Sequence, residues 1–170
     1  MEQLVVLEFK ENAIFRLNES NRMVAIAFEN LKEEQLWTRP NGISNSVGNL
    51  ILHLCGNITQ YAISSLGETR DVRDRDAEFN ATEGFTKDEL LKKLINTVQQ
   101  AKDVINKSTI GQLIKKREVQ GFNFSGIGII MHVVEHYSYH TGQIAFWIKQ
   151  LNGADLGFYD GMDLNTKNED

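Results

Sequence analysis

At 170 residues the chain suits a single domain that can bury its own core, so a metal is not needed to staple the fold and any bound metal would be a functional one. With 41% hydrophobic and 24% charged residues the composition is that of a globular protein, and the lack of any apolar run near the ~20 residues of a membrane span excludes an integral helical membrane protein. A formal net charge of -5, with Lys115-Lys116-Arg117 as the only dense basic stretch, excludes a broad electrostatic hold on nucleic acid.

The first segment, Met1 to Asn12, carries neither a basic leader nor a small-residue cleavage site, and the single Cys55 cannot form an intramolecular disulfide. Both features fit a cytoplasmic protein. One proline in the chain and apolar residues at helical spacing predict an all-α fold. Helix one spans about Gln3 to Leu31, with Leu7, Ile14, Leu17, Val24, Phe28 and Leu31 as its stripe and a polar middle, Asn18 to Asn21, where it could bend. Pro40, Asn41 and Gly42 mark a loop.

Helix two starts near Ser44 to Ser46, whose side chains can cap free N–H groups, and stops where Gly67 supplies a left-handed residue after Leu66. The charged, aperiodic segment Asp71 to Glu83 reads as a long connection, of the kind that often lines a site. Helix three opens on a capping box, Thr86 to Glu89, and buries Leu90, Leu94, Val98, Ala101 and Ile105. The stretch Glu118 to Phe124 suits extended or irregular structure. Helix four runs from about Ile127 to Leu151 and stops at Asn152-Gly153, and the tail from about residue 154 is polar and partly irregular, fraying at its end. Four amphipathic helices make one bundle over 1–170.

Three of the four histidines, His132, His136 and His140, recur every fourth residue on helix four. Neighbours in that series lie ~40° apart in azimuth and ~6 Å apart along the axis, so each neighbouring pair can grip one ion, whereas all three cannot. His136 and His140 fall at or within the edge of the apolar stripe formed by Ile129, Val133, Tyr137, Ile144, Trp147, Ile148 and Leu151. His132 lies about 120° from its centre, toward water or another chain. A catalytic zinc-type site takes three protein ligands and keeps one position open. The remaining histidine, His53, sits on the rim of helix two's stripe and can face the same core. Cys55, about 200° further round that helix, reads as a small packing residue and not as a fourth ligand. Gln143, three residues past His140, can hydrogen-bond beside the ion. The same spacing also suits two surface histidines and one core histidine with no metal at all.

Two motifs resemble the DinB superfamily of DinB/YfiT-like metalloenzymes. Ser46-Val47-Gly48-Asn49-Leu50-Ile51-Leu52-His53 looks like that family's start of helix two, leading to a ligand histidine. Glu135-His136-Tyr137-Ser138-Tyr139-His140-Thr141-Gly142-Gln143 looks like its H-x-x-x-H helix followed by Gly-Gln. The resemblance implies a four-helix bundle of the DinB/YfiT-like type, often a homodimer, with His53, His136 and His140 as ligands to one divalent transition metal such as zinc, nickel or iron. It also implies a small-molecule substrate and, by analogy with characterised members, S-transfer from a low-molecular-weight thiol to an electrophile. The family's basic residue after the last ligand histidine is replaced here by Thr141. A metal-dependent hydrolase and a non-catalytic metal-binding or stress-response protein are the alternative readings. With three neutral imidazoles an ion keeps its full charge and can acidify either water or a thiol.

Overall fold

The computed structural model describes residues 1–168. Helix α1 (Glu2–Glu29) is continuous through its polar middle, because Asn21 there has a tertiary use: its Oδ1 accepts the hydroxyl proton of the buried Tyr137 at 2.7 Å. Leu17, Val24, Phe28 and Leu31 are buried as expected, but Leu7 is 53% exposed, so the helix buries residues only from its third turn onward.

Ser46 caps α2 (Val47–Ile58) through a reciprocal capping box with Asn49. The helix then widens over Thr59–Leu66, where Gly67 N donates to Ala62 O at 3.2 Å and Thr69 N to Ser64 O at 2.9 Å, each five residues back. The expected left-handed stop at Gly67 is corrected by one residue: Gly67 keeps helical torsions and Glu68 takes the positive φ of 56°. Gly67 is still required, since a Cβ there would overlap the carbonyl oxygen of Ile63 in the widened turn.

The segment expected as an irregular connection contains a short helix, α3 (Arg75–Asn80), capped by Asp74. Its aperiodic sequence hides it because so short a helix shows one face to the core for a single turn. Thr86 and Glu89 form the expected capping box of α4 (Lys87–Lys107), and the five predicted stripe residues are its buried ones. A single-turn α5 (Ile110–Ile114) leads into an antiparallel hairpin, β1 (Lys116–Val119) and β2 (Phe122–Ser125), which realises the extended stretch. Ser125 caps α6 (Gly126–Asn152), and Gly153 ends it with φ 63°.

Helices α1, α2, α4 and α6 are the four members of the bundle, and their buried apolar residues form one cluster. The start of the tail is tied back: Leu156 is buried, and Arg22 donates to Phe158 O at 2.9 Å. The expected fraying at the extreme end concerns residues 169 and 170, which lie outside the described residues. Among the described residues, no helix is long and apolar enough to cross a membrane.

Candidate metal centre

The bundle places α2 beside α6, and this brings His53 against His136 and His140. One nitrogen from each ring lies within 4.8 Å of the other two, and His53 Nε2 stands 2.9 Å from His136 Nε2. Nitrogens held tetrahedrally at 2.0–2.1 Å from one ion would sit about 3.3 Å apart, so the cluster is already near the span of a single chelate. His53 and His140 are buried and His136 is half-buried, which gives the group one side toward solvent.

His53 is oriented by charged groups. Glu78 Oε2 lies 3.0 Å and Arg73 Nη2 3.1 Å from His53 Nδ1, so this outer nitrogen is held by the ion pair while Nε2 faces the cluster. Arg73 grips the same carboxylate with two bonds, Nε to Oε1 at 2.7 Å and Nη2 to Oε2 at 2.8 Å, and the two side chains are only 3% and 9% exposed. Gln60 Oε1 accepts from Arg73 Nη1 at 2.9 Å. Room for this pair comes from Gly56, because a Cβ there would overlap Glu78 Oε1. Asn49 donates to the carbonyls of Glu78 and Ala81 at 3.0 and 2.7 Å, fastening α3 onto α2. Burial alone would raise the Glu78 pKa, but the bonds from Arg73 and His53 outweigh it and hold the carboxyl below its usual range.

The histidines of α6 are oriented by neutral groups. Gln143 Oε1 accepts from His140 Nδ1 at 2.7 Å, so His140, like His53, can turn Nε2 to the cluster. Tyr139 packs edge-on to His140 at 5.0 Å, and Phe79 of α3 lies 4.8 Å from the His53 ring. His132 does not face water as its azimuth suggested. It is half-buried between two rings, Tyr61 at 4.1 Å and His136 at 5.2 Å, with Nε2 3.2 Å from Asn57 Nδ2. Tyr61 belongs to the widened end of helix two, a feature that reading the stripe of α6 alone does not reveal. Cys55 is buried away from the cluster, among Thr97 and Lys93 on α4, and burial pushes its thiol up to about 11.

Burial pushes His136 down to about 3, with His140, His53, His132 and Arg73 adding repulsion. Burial also takes His140 down to about 4, against the raising effect of Gln143. Both rings are thus neutral at physiological pH. Three clustered imidazole nitrogens, with the outer nitrogens of His53 and His140 hydrogen-bonded, fit a divalent transition metal. The carboxylate of Glu78 is the nearest acidic group from the 71–83 segment, and both its oxygens are engaged by Arg73 and His53. It braces His53, and among the described residues the group that could hold an ion comprises the three histidines.

The sequence named His53, His136, His140 and Gln143, all of which the fold brings together. It missed Glu78, Arg73 and Asn57. Glu78 carried one weak signal, as an acid in a charged loop of the type that lines sites. Nothing local distinguished it from Glu83 or Asp76.

A family model matches residues 5–159. The chain belongs to DUF1572, described as a protein of unknown function. DUF1572 is a DinB-like family, in line with the two motifs. Among solved structures, the chain is similar to YfiT from Bacillus subtilis, described as a probable metal-dependent hydrolase with an unusual four-helix bundle topology, at TM-score 0.69 and 18% identity over 85% of this chain and 87% of that one. It is also similar to the DinB-like protein YjoA from Bacillus subtilis, at TM-score 0.64 and 16% identity over 89% and 96% of the two chains. A DinB-like protein from Bacillus cereus gives 0.61 and 15% over 85% and 91%. These likenesses establish the DinB-like four-helix-bundle fold. No curated protein matches the chain.

Proposed function

We propose that this protein is a divalent-metal-dependent enzyme that activates water against an electrophilic small molecule. The observation that carries the reading is the convergence of three histidine nitrogens within 4.8 Å, backed by Glu78 on one side and Gln143 on the other. A divalent ion, when bound, supplies a Lewis acid able to bring the pKa of water or a thiol toward neutrality. The chain's own residues then hold the geometry. Glu78 and Arg73 hold the His53 ring, Gln143 holds His140, and the rings of Phe79 and Tyr139 flank these two buried histidines. The description of YfiT as a probable metal-dependent hydrolase supports the choice of water.

Thiol S-transfer is the second reading, favoured by analogy with other DinB-like proteins. Thr141 weighs against it. Where the family often carries a basic residue, this threonine is buried and its hydroxyl donates to Tyr137 O at 2.8 Å, so the position offers no cation to an acidic thiol.

The test is elemental analysis of protein purified without a histidine tag, beside the His136→Ala, His140→Ala double variant. Near one equivalent of zinc, nickel or iron in the parent and none in the variant is expected. A parent that takes up none at neutral pH, even from added zinc or nickel, overturns the enzyme reading. With metal loaded, hydrolysis of activated esters that does not depend on added thiol separates the water reading from S-transfer.

A further inference from the structure

A cavity of about 490 Å³ lies one helical turn from the centre, between the start of α2, the end of α6 and the loop before Ser46. It falls within the range of small-molecule sites. On α2 its wall is Leu50, three residues before His53, and on α6 it is Gln143, three residues after His140. Gln143 therefore serves two places at once. Its oxygen is committed to His140 Nδ1, so of its amide, on a residue that lines the cavity, the nitrogen with its two N–H groups is the part not used by that bond.

The apolar surface of the cavity comes from Leu50, Phe146 and Trp147. The indole is fixed, since Trp147 Nε1 donates to Thr38 O at 3.3 Å and so ties the loop to α6. Phe146 is 64% exposed at the mouth, an unfavourable position for a phenyl ring that has nothing to cover. The polar surface comes from Ser44, Asn45, Gln143 and Gln150. Among the described residues none in the lining bears an ionisable side chain. An ionised ligand group entering the cavity would lose hydration and find no counter-charge, whereas a neutral carbonyl would find amide and hydroxyl donors.

We infer that this cavity is the substrate-binding pocket of the centre and that it takes the body of an uncharged aryl or alkyl ester or amide, stacked on Trp147 and hydrogen-bonded by Gln143. The assignment rests on the three-histidine centre being the reacting site, and its test is read without turnover.

Benzamide, benzoate and benzylamine share one ring and differ in charge, and each is titrated into the full chain while the Trp147 indole N–H is followed by NMR. Benzamide is expected to shift that resonance saturably and to bind at least ten-fold tighter than either ion. Phe146→Ala, a change at an exposed position that the fold tolerates, is expected to weaken benzamide at least three-fold, and Leu50→Trp to abolish binding by filling the space. Benzoate or benzylamine binding as tightly as benzamide overturns the neutral-substrate assignment. No saturable shift up to the solubility of benzamide overturns the pocket itself. Metal content measured on the same sample keeps the two readings apart, because protein that loads metal but ignores benzamide loses only the pocket, and protein that binds benzamide without loading metal keeps a binding cavity but loses the centre and, with it, the substrate assignment.

Discussion

The two sides of the histidine cluster are braced by different chemistry. On the α2 side a buried ion pair, Arg73 with Glu78, stands behind His53. On the α6 side a carboxamide and aromatic rings stand behind His140 and His136. A carboxylate partner raises the basicity of the imidazole it touches, while an amide only fixes its direction. In the proposed metal centre the charged side would therefore set ligand strength and the neutral side geometry. The charged side is also the riskier one for stability, because either ion alone would be stranded in the interior.

The largest effect should come from stranding it. Arg73→Met leaves the Glu78 carboxylate buried without its cation, and denaturant unfolding of the metal-free protein should show a loss of about 3–5 kcal/mol. A loss under about 1 kcal/mol would mean that water reaches Glu78 and that the contrast between the two sides is smaller than drawn.

Metal affinity should separate the sides next. Glu78→Gln keeps the shape but removes the charge behind His53, and competition with a chelator should show affinity about 10–100-fold weaker. Gln143→Leu removes the orienting bond on the neutral side, and its loss should stay at or below the bottom of that range. Equal losses would erase the division between basicity and direction.

The last effect is one of pH. His136 and His140 titrate in the folded, metal-free protein at about 3 and about 4, below the usual 6.5 of a free histidine. Below about pH 6.5 the unfolded chain gains protons that the folded chain refuses, so stability present above that pH is lost progressively as the pH falls toward 4. Melting temperatures of the metal-free protein between pH 7.5 and 4.5 should fall along this course, and less steeply in His136→Asn. An unchanged slope in that variant would move the effect elsewhere in the molecule.

The helices that build the cluster were legible because their signals are local. The capping box of α4, the Ser46 cap and the Gly153 stop are each satisfied within one turn of chain. The azimuths of His136 and His140 follow from the stripe of one helix, and that of His53 from another. His132 escaped the same reasoning because its surroundings are supplied by Tyr61 and Asn57, from the other helix. An apolar stripe shows which side of a helix faces the core, and not where a neighbour's ring reaches over its edge.

The sequence by itself thus determined an all-α bundle, the positions of its long helices and the three histidines able to share an ion, since periodicity and capping are properties of neighbouring residues. Only the tertiary structure decided which acid stands behind His53, that Arg73 neutralises it and that a cavity without ionisable lining residues opens beside Gln143. Those outcomes depend on α3 folding back onto α2 at Gly56 and on the loop held to Trp147, contacts between segments whose separation along the chain leaves no periodic trace.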